Sequence, residues 1–80
     1  MKKYYISHNT NQEEKKHNVD LYNKVRTKGN CLGGEWNGDY YVSTFEYLDK
    51  IYELWDNMEY GIMSEVVEYE RSEYYERHTN

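Results

Sequence analysis

"TFEYLDKIYELWDNMEY", residues 44–60, is the stretch whose reading decides the fold. At 100° per residue, Phe45, Leu48, Ile51, Tyr52, Leu54, Trp55 and Met58 fall on one side, centred on Leu48 and Trp55. Glu46, Asp49, Glu53 and Asp56 fall on the other, and Lys50 is the one cation among them. Ser43 followed three residues on by Glu46 has the spacing of a capping box. The pattern therefore predicts an amphipathic helix over 44–59 with Leu48 and Trp55 in the core.

Upstream, "CLGGEWNGDYYVST" (residues 31–44) carries Asn37-Gly38 between strand formers. That dipeptide suits a type I′ turn, because both central residues need positive φ. The predicted hairpin sets Glu35 against Tyr40, Gly34 against Tyr41 and Leu32 against Ser43, with Trp36, Tyr41 and Leu32 on one face. Gly33-Gly34 marks a bulge in its first strand. "NVDLYNKVRTK" (18–28) fits both strand alternation and a helical arc; a helix stopped by Gly29 and Asn30 is favoured. "KYYISH" (3–8) reads as a strand, and the polar run 9–18 as a loop or the solvated start of a helix. Downstream, Leu48, Trp55, Ile62 and Tyr69 recur at sevens, which predicts a further helix over 62–77, kinked near Gly61, against a strand-like composition. The expected fold is α+β: a single domain over 1–80, with a small antiparallel sheet packed against the helix 44–59.

An 80-residue chain buries only about 60–65% of the surface it exposes when unfolded, and aliphatic residues are few here. Eleven tyrosines, two tryptophans and one phenylalanine must supply much of the core, yet each tyrosine hydroxyl needs a partner or water. The absence of Ala and Pro beside abundant Lys, Asn, Tyr and Glu points to AT-rich codon usage. Cys31 stands alone, so a disulfide framework is not expected. No apolar run approaches the ~20 residues of a membrane span, and none follows the initial lysines as in a signal peptide. A soluble, cytoplasmic protein without membrane contact is expected.

The net charge of −5 is divided unevenly. Residues 1–34 hold seven cations against three acids, +4, and residues 35–80 hold twelve acids against three cations, −9. Such asymmetry marks either an interaction surface or pairing between the halves. His8, His17, His78 and Cys31 lack metal-ligand spacing, so no metal or cofactor is expected. Carboxylates on a solvated helix face ionise ordinarily and do no acid–base work, so no enzyme is expected. The basic segment with Tyr4, Tyr5 and Tyr22 has the make-up of a nucleic-acid contact. The acidic remainder would repel phosphates within a Debye length of about 8 Å, which disfavours direct nucleic-acid binding.

The acidic face itself is the candidate site. On a helix, Glu46, Asp49, Glu53 and Asp56 would form a row at steps of about 5–6 Å, without the Lys or Arg partners that solvated helices usually carry. Glu65, Glu68, Glu73 and Tyr75 extend it, and Glu35 and Asp39 flank the hairpin tip. DNA presents phosphates at intervals of similar order, so such a row fits a phosphate-binding channel.

Small, acidic, tyrosine-rich, cysteine-poor and of AT-rich usage, the chain resembles phage-encoded inhibitors of bacterial defence, among them anti-CRISPR proteins and DNA-mimic inhibitors. The resemblance lies in composition and charge layout over the whole chain and includes no motif. It implies a non-enzymatic inhibitor in the host bacterial cytoplasm. The implied partner is a defence protein with a basic nucleic-acid groove, a CRISPR effector foremost. The basic N-terminal third departs from extreme DNA mimics and points to mixed contacts. The alternative is a regulatory, adaptor or antitoxin-like domain whose Tyr/Trp surface binds a protein or a second copy of itself, as a homodimer.

Overall fold

Residues 44–60 form no helix. In the computed structural model, which describes residues 1–78, the stretch holds the end of one strand, a tight turn and a second strand. The elements in chain order are β1 (Lys2–Tyr5), α1 (Gln12–Lys28), β2 (Asn30–Asn37), β3 (Tyr40–Tyr47), β4 (Lys50–Asn57), β5 (Ile62–Glu70) and α2 (Arg71–His78). Tyr47 pairs with Lys50, and between them Leu48 and Asp49 take φ of 48° and 65°. Positive φ at both central residues is the signature of a type I′ hairpin turn. Ser43, read as a helix cap, sits buried in mid-strand.

The helical arc and the double-sided strand draw on the same residues. Ile51, Tyr52, Glu53 and Leu54 are all buried in β4, because a central strand covered on both faces hides every position. Leu48, expected at the core, is 75% exposed in the turn, while Trp55 is half-buried. The second expected helix is also corrected. Ile62–Glu70 is strand β5, with Val66 and Val67 buried on opposite faces, and only Arg71–His78 is helical.

All pairings are antiparallel, in the order β1-β5-β4-β3-β2. The α+β class, the small antiparallel sheet and the hairpin near Asn37-Gly38 are as expected, but the helix packed on the sheet is α1. Its N-cap is Asn11, whose side-chain oxygen accepts the Glu14 N–H at 3.0 Å. Glu13 and Glu14 in the first turn, and Arg26 and Lys28 in the last, suit the helix dipole. In the β2–β3 hairpin Asn37 pairs with Tyr40, so the turn is Gly38-Asp39, one residue later than expected. Gly38 takes φ 62°, the first-position glycine of a type II′ turn. The partners shift, yet Trp36 still shares a face with Tyr41, lying opposite it with rings edge-to-face at 5.2 Å, whereas Leu32, expected on that face, lines the other with Thr44 and Tyr74. The bulge expected at the glycine pair falls between Cys31 and Gly33.

Two apolar layers result. Between α1 and the sheet, Tyr22 and Val25 of the helix pack with Ile6, Phe45, Tyr52, Leu54 and Val66. On the opposite face Ile51, Val67 and Tyr69 are covered by Trp55 and by Tyr74 of α2. Three core tyrosines direct their hydroxyls at carboxylates: Tyr22 at Asp56 (2.6 Å), Tyr52 at Glu68 (3.2 Å) and Tyr69 at Glu53 (3.2 Å). A chain short of aliphatic residues thus builds its interior from tyrosine and satisfies each hydroxyl with an acid. No helix among the described residues is long and apolar enough to cross a membrane.

Candidate functional site

Strand geometry disperses the expected acidic row. Glu46 and Glu53 face the α2 side, since Glu53 pairs with Thr44 and Glu46 with Ile51. Asp56 meets α1 on the other side through Tyr22, and Asp49 lies in the β3–β4 turn. Most of the expected site residues are also occupied within the fold. Arg71 of α2 reaches Glu46 at 2.5 Å and Asp49 at 3.9 Å. Glu53 accepts from the Trp55 indole and the Tyr69 hydroxyl, each at 3.2 Å. Glu65 faces Lys3 at 3.9 Å, and Glu73 holds the N-terminal amine at 2.7 Å. Glu68 gathers Tyr4 (3.1 Å), Lys50 (3.2 Å) and Tyr52 (3.2 Å). Tyr75 is exposed on α2, its ring edge-to-face with Tyr74 at 5.5 Å.

The titration behaviour of these groups is that of structural partners. Burial, then the hydrogen bond to Asp56, pushes Tyr22 up to about 12. Burial and the Glu68 charge do the same for Tyr52, and burial and the Glu53 charge for Tyr69, each to about 12. Desolvation pushes the Glu68 carboxyl upward, but Lys50 and the two tyrosine hydroxyls outweigh it and hold it below its ordinary value. These acids spend their charge inside the fold.

The surface left over lies elsewhere, at the end of the sheet where two turns meet. The Met58 N–H donates to the Asp39 carbonyl at 3.0 Å, which sets the β4–β5 turn beside the β2–β3 turn. The Asn57 side chain accepts from the N–H groups of Glu59 (3.1 Å) and Tyr60 (3.3 Å), fixing the β4–β5 turn. Four large apolar side chains are exposed here: Trp36 (63%), Met58 (52%), Tyr60 (70%) and Ile62 (45%). Met58 and Ile62 line a groove of about 510 Å³ between this end of the sheet and α1, with Tyr22, Arg26, Tyr41 and Asp56 among its other walls. Trp36 joins it through its contact with Tyr41.

Around the same end stand Asp39 and Glu59, neither within ion-pair distance of a cation among the described residues. The structure thus brings one expected site residue, Asp39, to an apolar surface that the helical reading hid; Glu35 faces the other side of the sheet, where it lines a hollow with Thr44 and Tyr74. A signal for that surface existed in "NMEYGI" (57–62), where large apolar residues sit inside a glycine-bearing turn. Among the described residues no group of three or more His, Cys, Asp or Glu could hold a metal ion. Cys31 is exposed and free. The chain matches no protein-family model, no curated protein and no solved structure.

Proposed function

We propose that this chain is a non-enzymatic protein-binding inhibitor that docks through the end of the sheet formed by the β2–β3 and β4–β5 turns. Its partner is a bacterial defence protein with a basic nucleic-acid groove, such as a CRISPR effector, whose nucleic-acid site it blocks in the bacterial cytoplasm. One observation carries this reading: Trp36, Met58, Tyr60 and Ile62 are exposed at one end of the sheet beside Asp39 and Glu59, which lack cation partners among the described residues. Contiguous exposed apolar surface is a mark of protein interfaces, and Trp, Tyr and Met are the residues enriched there. Unpaired carboxylates at the rim speed encounter with a basic surface and disfavour acidic ones. On a protein of net charge −5, that combination suits a partner that otherwise holds phosphates.

The test is capture of the partner from bacterial lysate by the parent chain, by Trp36→Ala and by Asp39→Lys/Glu59→Lys. The parent should retain a nucleic-acid-handling protein, release it when duplex DNA or RNA is added, and hold it less well as salt rises. Both variants should lose most of that retention. Retention lost by Trp36→Ala but indifferent to charge reversal, salt and nucleic acid would replace the inhibitor with an adaptor that reads an apolar patch.

A further inference from the structure

We infer that two copies of this chain associate through the outer edge of β2, antiparallel, to form one continuous sheet. β2 is last in the strand order, and all eight of its residues are exposed. An edge strand offers a row of unpaired backbone N–H and C=O groups, which proteins usually guard with brevity, lysines, proline or a bulge. The other edge, β1, has such guards: it is four residues long and carries Lys2 and Lys3. β2 has one charged residue, Glu35, no lysine and no proline. Its bulge lies near its start, between Cys31 and Gly33, and leaves Gly33–Asn37 regularly paired to β3 with the far side open.

Charge placement selects the occupant and its direction. α1 ends in Arg26 and Lys28 and leads straight into β2, so the start of the strand is basic. Glu35 and Asp39 make its other end acidic. Antiparallel pairing of two copies about an axis near Gly34 lays Lys28 of each towards Asp39 of the other, and Glu35 opposite a glycine of the other copy. Parallel pairing would superpose like ends. The surface used is the strand's outer edge, apart from the groove beside α1, and shares only Asp39, at the turn, with the proposed docking surface.

The experiment uses the purified protein alone. Sedimentation velocity over a range of concentrations should show a monomer–dimer equilibrium. Lys28→Glu and Asp39→Lys should each weaken it by about tenfold or more, and the double variant should restore it. Neither side chain is in an ion pair among the described residues, so circular dichroism of all three variants should match the parent. A spin label on Cys31 should report label pairs about 20 Å apart, from six strand residues at ~3.3 Å each. A monomer up to about 1 mM would overturn the inference. So would labels in near contact, the mark of parallel pairing, labels much farther apart, or a double variant that fails to recover. Because no partner protein is present, failure here leaves the docking surface unaffected.

Discussion

Replacing Leu48 by Asn should stabilise the protein, and the sign of the effect separates the turn from a helix. Leu48 holds φ 48° with its side chain 75% exposed, so it accepts a left-handed backbone and buries little in return. That conformation costs an ordinary L-residue roughly 1–2 kcal/mol, whereas Asn tolerates it. Asp49, at φ 65°, already has a suitable side chain. Leu48→Asn should therefore gain about 1 kcal/mol, which in a domain of this size raises Tm by about 4–8 °C. Were 44–59 a helix with Leu48 at the centre of its apolar arc, the same change would place an amide in the core. It would then cost several kcal/mol, as large-to-small core substitutions do. Thermal unfolding followed by far-ultraviolet circular dichroism measures the difference. A Tm lowered by the substitution would refute the turn.

Leu54 is fully buried beneath α1, and Leu54→Ala should cost about 2–5 kcal/mol in urea titration; a loss below about 1 kcal/mol would contradict the layer described. Tyr22, Tyr52 and Tyr69 hold their protons to about 12 when folded, against 10.0 when unfolded. Their contribution is present in full below pH 10.0 and lost as pH rises towards 12, so absorbance at the phenolate band should show late tyrosines that titrate with unfolding. All eleven titrating together near 10.0 with the fold intact would refute this. Glu68 is the opposite case: its folded value is depressed, so its contribution is present above the ordinary 4.5 and lost as pH falls through the folded value. Glu68→Gln should flatten the acid limb of a stability–pH curve; an unchanged limb would assign the acid sensitivity elsewhere.

What was legible in the sequence follows the reach of each interaction. The C-terminal half of α1 could be read because Val19, Tyr22 and Val25 share one side and Gly29 stops it. Its first two turns carry nothing apolar, Gln12–His17 being exposed apart from the half-buried Lys15, so only the Asn11 cap announces them. The β2–β3 hairpin was visible through Gly38, though a dipeptide rule placed its turn one residue early. The stretch 44–60 misled for a physical reason. A strand buried on both faces is apolar at nearly every position and fills a helical arc as well as it fills a strand. Its turn holds no glycine; a leucine at positive φ gives no local warning. The carboxylate pattern failed likewise, because the partners lie far away in sequence. Glu53 finds Tyr69 sixteen residues on, and Asp56 finds Tyr22 thirty-four residues back. A lack of i, i+4 cations therefore said nothing about free charge.

The docking surface is the central claim, and site-specific photo-cross-linking in bacterial cells tests it most directly. A benzophenone side chain is placed in turn at Met58 and Tyr60, on the exposed apolar end, and at Lys16 and Thr27, exposed on α1. Met58 and Tyr60 should cross-link to one nucleic-acid-handling protein, and the product should fade when that protein is saturated with its nucleic acid. Cross-links arising from Lys16 or Thr27 while Met58 and Tyr60 remain silent would contradict the account.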